Sequence, residues 1–424
     1  AVAHRTSPTN IGMALLANLT AYDFGYIPSG QLIERTAHTL DTMQKLERHR
    51  NHFYNWYDTQ SLKLLHPAYI STVDSGNLAG HLLTLRPGLA MLADDKILSI
   101  RCFHGFNDTL GILADAMRSI PSDLLTQLQT DIESICNSPP TTLALTWQYL
   151  DRLARRAEEL ADSLDATAKS LFQTGSAQAS AEERERTLHA ETGGYLNIDA
   201  DSTHHPALDH ASAVVSEITS ENDANWWAHA LVRQSRAALD ELTFLAPWLG
   251  LPVAPGGADV DLNITAIPTL RELTGIKEKL LPIIEQRISS SAESAEREWL
   301  HAFRQCLTQA ALRANDRISA IERLILQTGE LSYMAYDFLY DKASRLLSIG
   351  YNVDESRRDA SCYDLLASEA RLINFIAIAQ GQVPQESWFA LGRLLTTVGG
   401  EPVLLSWSGS MFEYLMPLLV MPNF

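Results

Sequence analysis

The stretch HFYNWYDTQSLKLLHPAYISTVDSGNLAGH, from His52 to His81, joins an aromatic cluster to a helix start. Phe53, Tyr54, Trp56 and Tyr57 crowd around Asn55 and Asp58, and further along Ser71-Thr72-Val73-Asp74 opens a run with small residues at Ser75, Gly76, Ala79 and Gly80. Ser71 with Asp74 three positions later is close to the S/T-x-x-E/Q capping box, in which two side chains satisfy backbone N–H groups that the first helical turn leaves without partners. The spacing predicts a helix from near Ser71 through Leu78, Leu82 and Leu85 as far as Pro87. The same residues suit a sugar. A pyranose offers apolar C–H faces that stack on rings and a rim of hydroxyls that needs carboxylate or amide partners. Capping and ligand contact are compatible, and both readings stand on these residues.

Working outward, helix signals dominate and strand signals are few. Thr6-Ser7-Pro8 reads as an N-cap followed by proline at the first helical position, with Ile11, Leu15, Leu16 and Leu19 recurring on one face, which predicts a helix over 8–22. Ser29-Gly30 starts a second, with Leu32, Ile33, Thr36, Leu40, Met43 and Leu46 at helical spacing. It runs into the basic turn Lys45, Arg48, His49, Arg50, whose charges meet a helix C-terminus favourably.

The 424 residues are 46% apolar and 20% charged, with 17 Pro and 22 Gly, a globular composition. The formal net charge of −18 disfavours nucleic acid, which is held mainly by Lys and Arg on phosphates, and is no obstacle to a neutral glycan. Cys102, Cys136, Cys306 and Cys362 are widely spaced and form no C-x-x-C pair, so neither a zinc cluster nor a disulfide framework is indicated, and a reducing compartment fits best. No apolar run has the length of a bilayer span, and no cofactor motif is present: there is no glycine-rich phosphate loop, no G-x-S-x-G elbow and no H-E-x-x-H.

From about 110 to 335 long amphipathic helices with charged surfaces are expected, clearest over Leu150–Phe172 and Trp227–Leu249, with Leu153, Ala157, Leu160 and Leu164 on one packing stripe. Gly175–Ala181, Gly193–Ala207 and Pro252–Gly257 read as loops or hinges. His204, His205 and His210 with Asp199 and Asp201 lack first-shell metal spacing, so no metal is assigned. After 335 the first pattern returns. Phe338–Tyr340 and Ile349-Gly350-Tyr351-Asn352 precede Ser361-Cys362-Tyr363-Asp364 and an apolar stretch, Leu365–Ala379, read as a helix. A further start, Ser410-Met411-Phe412-Glu413, is a full S-x-x-E box heading Tyr414–Met421. Three acid-bearing helix N-termini in a helical chain suggest a ring of helical hairpins whose inner helices present their N-termini and preceding loops at one end, which would be the cleft.

Thr6–Gly12 (TSPTNIG), His52–Asp58 (HFYNWYD), Ser71–His81 (STVDSGNLAGH), Ile349–Val353 (IGYNV), Tyr363–Leu372 (YDLLASEARL) and Leu405–Pro417 (LSWSGSMFEYLMP) closely resemble the middle, glycoamylase-like domain of cyclic β-1,2-glucan synthases. The likeness is dense over roughly 1–90 and 335–424 and is one of helical character between. It implies an all-α, (α/α)6 toroid-like barrel, here incomplete. Residues 1–110 would be its first part, 111–335 a long amphipathic helical region, and 336–424 its continuation with the Glu413 helix start.

The resemblance further implies anomer-retaining transglycosylation on β-1,2-glucan, by which a linear chain made by a membrane glycosyltransferase region of the same parent polypeptide is closed before a phosphorylase-like domain trims it. It also implies the cytoplasmic face of a bacterial inner membrane, without direct lipid contact. Such chemistry uses two carboxyl groups about 5 Å apart, one forming a glycosyl-enzyme and one acting as acid and then base. Glu413 is the leading acid/base candidate, with its capping role as competitor. Glu369 is second, with pairing to Arg371 or to a neighbouring helix as competitor. Asp58, Asp74 and Asp364 are placed as sugar-binding or pKa-tuning acids, and Trp56, Tyr57, Tyr351 and Trp407 as stacking platforms, each with ordinary core packing as the alternative. The family's pattern continues past the Glu-Tyr-Leu-Met-Pro helix into a Ser-Glu-Ser-x-Tyr-Asn word absent here, so turnover is expected of the longer parent chain. Two other functions fit the same words: an endo-β-1,2-glucanase-like hydrolase and a non-catalytic helical glucan-holding module.

Overall fold

A computed structural model describes residues 3–118, 122–191, 206–255, 266–291 and 293–421, with side chains of 168–222 left aside. Its helices, in chain order, are α1 (Pro8–Asp23), α2 (Ser29–Lys45), α3 (Thr72–Met91), α4 (Arg101–Ala116), α5 (Asp123–Asn137), α6 (Leu143–Glu191), α7 (Pro206–Leu245), α8 (Leu270–Thr274), α9 (Ile276–Ser290), α10 (Ser294–Leu331), α11 (Ala370–Ala379), α12 (Glu386–Ala390) and α13 (Met411–Leu415). The all-α class holds.

Local chemistry sets the first helices where the pattern places them. Ser7 accepts a hydrogen bond from the Asn10 N–H at 3.2 Å with Pro8 in the first turn of α1, and Ser71 accepts from the Asp74 N–H at 3.3 Å at the head of α3. The expected stop of α3 at Pro87 is corrected, since the helix continues to Met91. Proline costs one backbone bond and a steric clash in a helix interior, about 3 kcal/mol. Leu85 and Leu89 on either side of it are fully buried, so core packing opposes that cost.

α3 is the central helix, packed against α1, α10 and α11. Its small residues explain the closeness: a Cβ added at Gly76 would overlap Ile373 of α11. α10 also lies on α2 and α7, burying Trp299, Phe303, Leu307, Ala310, Ala314, Ile321 and Leu324 on its inner stripe. α6 and α7 pack along each other, and the stripe of Leu153, Ala157, Leu160 and Leu164 is buried as its spacing predicts. The loop expected at 175–181 is corrected: α6 runs through it, the good helix formers on both sides carrying the helix past Gly175. Of the other expected breaks, 193–205 and 256–257 fall outside the described residues, as do His204, His205, Asp199 and Asp201.

Short strands tie the two family-like ends together. Tyr69–Ser71 pairs antiparallel with Gly350–Asn352, in register Tyr69↔Asn352, Ile70↔Tyr351 and Ser71↔Gly350, and the Thr72 N–H donates to the Ile349 carbonyl at 3.1 Å. The backbone entering α3 is thus fixed directly to the segment that leads on to Tyr363, whose N–H donates to Leu347 O at 2.9 Å. A hairpin, Leu395–Val398 with Glu401–Leu404, turns through Gly399 and Gly400, both at positive φ, a turn the sequence reading did not anticipate.

Candidate active site

Three helix starts bring the carboxylates together, though not the three expected. Asp74 sits in the first turn of α3 behind its Ser71 cap. Glu413 sits in the first turn of α13, where Ser410 and Glu413 complete a reciprocal capping box. The third expected start, at Ser361–Asp364, is corrected. Ser348 forms a β-bridge with Cys362, and the Leu365 and Leu366 backbone is engaged with Gly392, so this segment is extended and α11 begins only at Ala370. The acid at that helix terminus is therefore Glu369, in the N-cap position, rather than Asp364.

A hydrogen-bonded chain connects Asp74 to Glu369. Thr9 Oγ1 donates to Asp74 Oδ1 at 2.6 Å, and the Asn77 amide nitrogen donates both to Thr9 Oγ1 at 3.2 Å and to Glu369 Oε2 at 2.8 Å. Asp74 and Asn77 are one helical turn apart and so share a face of α3. On the other side, with its amide turned to satisfy its neighbours, Asn55 donates to Asp74 Oδ2 at 3.2 Å and accepts from Trp56 Nε1 at 3.2 Å.

The two glutamates are in opposite electrostatic situations. Burial raises the Glu369 pKa, the Asn77 hydrogen bond works against this, and the negative charges of Asp74 and Glu413 push it up further; the net direction is up. At Glu413 burial also works upward. It is outweighed by hydrogen bonds from the Ser408 hydroxyl at 2.6 Å, from the Ser410 N–H and hydroxyl at 3.1 Å, and from the Ser408 N–H, which hold the carboxyl at about 2. Glu413 is therefore a carboxylate at neutral pH, and of the two Glu369 keeps its proton to the higher pH. Arg371, weighed as a partner for Glu369, instead donates to the Tyr414 carbonyl at 3.3 Å.

Tyr363 faces the same charges. Its burial, then Glu369, Asp74 and Asp359, all raise its pKa, so its phenol stays protonated. Its ring lies 5.4 Å from that of half-exposed Trp407, whose indole N–H donates to Asp364 Oδ1 at 3.0 Å. Trp407 and Asp364 thereby lie beside Glu413, to which the Trp407 backbone N–H donates at 3.2 Å.

The remaining expected residues divide. Tyr57 is 1% exposed, its hydroxyl donating to Glu47 O at 2.6 Å and accepting from the Tyr54 N–H, so the stacking role is corrected: it is a core aromatic with a satisfied hydroxyl. Tyr351 stacks on His49 with ring centres 5.7 Å apart and meets Phe338 edge-on, which occupies its ring. Asp58 closes its own turn, accepting from the Ser61 N–H at 2.7 Å and hydroxyl at 2.8 Å, and is not among the partners of Asp74 or Glu369. Trp56 is linked to Asp74 through Asn55, with the Arg5 guanidinium 4.6 Å over its ring. Asn55 was named in the aromatic cluster without a site role, and Thr9, Asn77 and Tyr363 were not singled out from sequence. Asn77 had a signal, its position one turn after Asp74; for Thr9 the contact spans 65 residues and only the fold makes it.

No family model matches the chain. Over 423 residues, 99% of its length, the chain is 31% identical to the cyclic beta-(1,2)-glucan synthase NdvB of Rhizobium meliloti (strain 1021), of which it spans 11%, so that the likeness is to a segment of that protein.

Proposed function

We propose that this segment belongs to a glycoamylase-like unit that acts on β-1,2-glucan by anomer-retaining transglycosylation, closing linear chains into rings. The observation that carries the reading is the unequal pair of glutamates, Glu369 with its pKa raised by burial and Glu413 held ionised, next to the half-exposed Trp407 ring and its Tyr363 neighbour. Retaining glycoside chemistry needs that inequality. Glu413 attacks the anomeric carbon as the glycosidic C–O bond breaks, and Glu369 gives its proton to the departing oxygen. Glu369, now a carboxylate, takes the proton from a hydroxyl at the other end of the same glucan. That oxygen forms the new glycosidic bond and Glu413 leaves. Tyr363 and Trp407 present ring faces to the sugar, and Asp74, Asn55 and Asp364 offer acceptors and donors to its hydroxyls. The acid/base role passes from Glu413, where the motif first put it, to Glu369, because a carboxyl at about 2 is a poor proton donor at neutral pH.

The parent polypeptide would bring the membrane glycosyltransferase and phosphorylase-like regions, on the cytoplasmic face of an inner membrane. Among the described residues no helix is long and apolar enough to cross a membrane.

The test is product analysis on linear β-1,2-glucan with Glu369→Gln and Glu413→Gln in the parent-length protein. Loss of turnover in both, with azide giving a glycosyl azide of inverted configuration when Glu413 is shortened to Ala and of retained configuration when Glu369 is, supports the assignment. Short linear products alone from the unaltered protein indicate hydrolysis instead. The complete capping box at α13 favours one further reading, a purely structural Glu413 in a glucan-holding module. Unchanged turnover in Glu413→Gln would establish it.

A further inference from the structure

An open groove of about 450 Å³ lies between α2, α4 and α7, drawing on none of the segments that carry Asp74, Glu369 or Glu413. Its size falls within the roughly 300–1,000 Å³ of small-molecule sites. Its lining is mixed in the way that suits a polyhydroxylated ligand. Trp227 and Tyr26 supply rings, Ile27 and Ile112 apolar surface, and Gln31, Arg35, Asp108 and Arg233 planar hydrogen-bonding groups.

The polar members are held in place by their neighbours. The Tyr26 hydroxyl donates to Asp108 Oδ2 at 3.1 Å, and Tyr26 also stacks on exposed Phe24 with ring centres 6.0 Å apart. Thr109 donates to Gln234 Oε1 at 2.7 Å and the Gln234 amide donates to Gly25 O at 3.3 Å, fixing the wall behind. Arg35 is steadied by Asn18 at 3.2 Å, and the Arg233 guanidinium lies 5.8 Å over the ring of Trp226, itself more than half exposed and edge-on to Trp227. Side chains already fixed lose little freedom when a ligand arrives. Rings with bidentate amides, guanidiniums and a carboxylate match alternating C–H faces and hydroxyls rather than an apolar or a strongly anionic ligand.

We infer that this groove is a second glucan-binding site, holding a stretch of β-1,2-glucan chain away from the reacting carboxylates. The identity of the ligand rests on the function proposed above; the site itself rests on the groove. The experiment measures binding of size-defined linear β-1,2-glucan by calorimetry to the 424-residue chain carrying Glu369→Gln, so that binding is read without turnover. Trp227→Ala and the exposed-rim change Arg35→Ala are added separately, with Trp407→Ala as the reporter of the other site.

Two classes of site are expected. Trp227→Ala should weaken one class about tenfold, Arg35→Ala should weaken the same class, and Trp407→Ala the other. Binding that falls with Trp227→Ala and Arg35→Ala but ignores Trp407→Ala upholds the groove and overturns the proposed function. Binding that ignores both groove changes, or no glucan binding at all, overturns the groove. Because Trp227 also packs on the core, loss in that variant counts only when Arg35→Ala weakens the same class; an unchanged Arg35→Ala overturns the inference.

Discussion

The Asn77 side-chain nitrogen reaches Glu369 Oε2 at 2.8 Å across 292 residues of sequence, and this single bond is the main force opposing the rise in the Glu369 pKa. It stabilises the carboxylate form, so it sets how readily Glu369 gives up and retakes a proton. The same nitrogen also donates to Thr9, which donates to Asp74, so one amide governs the spacing of two acids.

Asn77→Ala is therefore expected to move the alkaline limb of kcat/KM upward, because the protonated acid persists to higher pH. kcat at neutral pH should fall several-fold while KM changes less, since no sugar contact is removed. The measurement is a pH–rate profile on linear β-1,2-glucan in the parent-length protein. An unmoved limb sinks the assignment of Glu369 as the proton carrier.

How much of this was legible in the sequence depends on the range of the interaction that decides it. Ser7, Ser71 and Ser410 act on N–H groups three residues away, so their helix starts could be read directly. The Ser361–Asp364 word has the same form and starts no helix, because backbone pairing with Ser348 and Gly392 claims that segment first. Local propensity lost to a tertiary contact there. Tyr57 misled for a related reason: an aromatic beside a carboxylate looks the same in one dimension whether its ring faces a cleft or the core. The pairing of Asp74 with Thr9 and of Asn77 with Glu369 exists only because α1, α3 and α11 pack together.

Ser408→Ala tests the other glutamate. The Ser408 hydroxyl makes the shortest of the bonds to Glu413, at 2.6 Å, and these bonds keep the carboxyl at about 2. Its loss should raise the Glu413 pKa and shift the acid limb of the rate profile upward by about one unit. Turnover at neutral pH should change less than about twofold, since the group stays ionised well above its pKa. An acid limb that stays in place while Glu413→Gln is inactive points to another titrating carboxylate.

Two glycines in helices predict opposite outcomes. A Cβ at Gly76 overlaps Ile373, so Gly76→Ala must separate α3 from α11, at a cost of about 1–3 kcal/mol for an overpacked core. Gly111, in α4, has nothing within 4 Å of an added Cβ, and Gly111→Ala should stabilise by about 0.5–1 kcal/mol through the entropy of the unfolded chain. Urea unfolding of both variants decides it. Equal effects would mean that the α3–α11 contact is looser than this packing implies.

The buried histidines should make the fold acid-sensitive. His81 on α3 is fully buried with neither ring nitrogen hydrogen-bonded among the described residues, and burial lowers its pKa to about 4. His52 is equally buried and also lowered to about 4, burial again dominating, although Nδ1 meets Ser75 Oγ at 2.8 Å and Nε2 meets Ala335 O at 2.7 Å.

The unfolded chain takes up a proton near pH 6.5 and the folded chain only near 4, so between those values the unfolded state binds more protons and stability rises with pH. Each histidine accounts for about 3 kcal/mol present above pH 6.5 and lost as pH falls through that window. His81→Leu should remove its share of the pH dependence at little cost, or a gain, at pH 7, because an unpartnered imidazole is replaced by an apolar side chain. His52→Leu should flatten the profile equally yet lose stability at pH 7, because the Ala335 carbonyl loses its bond to Nε2 while the Ser75 hydroxyl keeps only the Ser71 carbonyl. Urea unfolding at pH 7, 5.5 and 4.5 separates the two, and a His81→Leu profile as steep as that of the unaltered chain would show that His81 is protonated in the folded state.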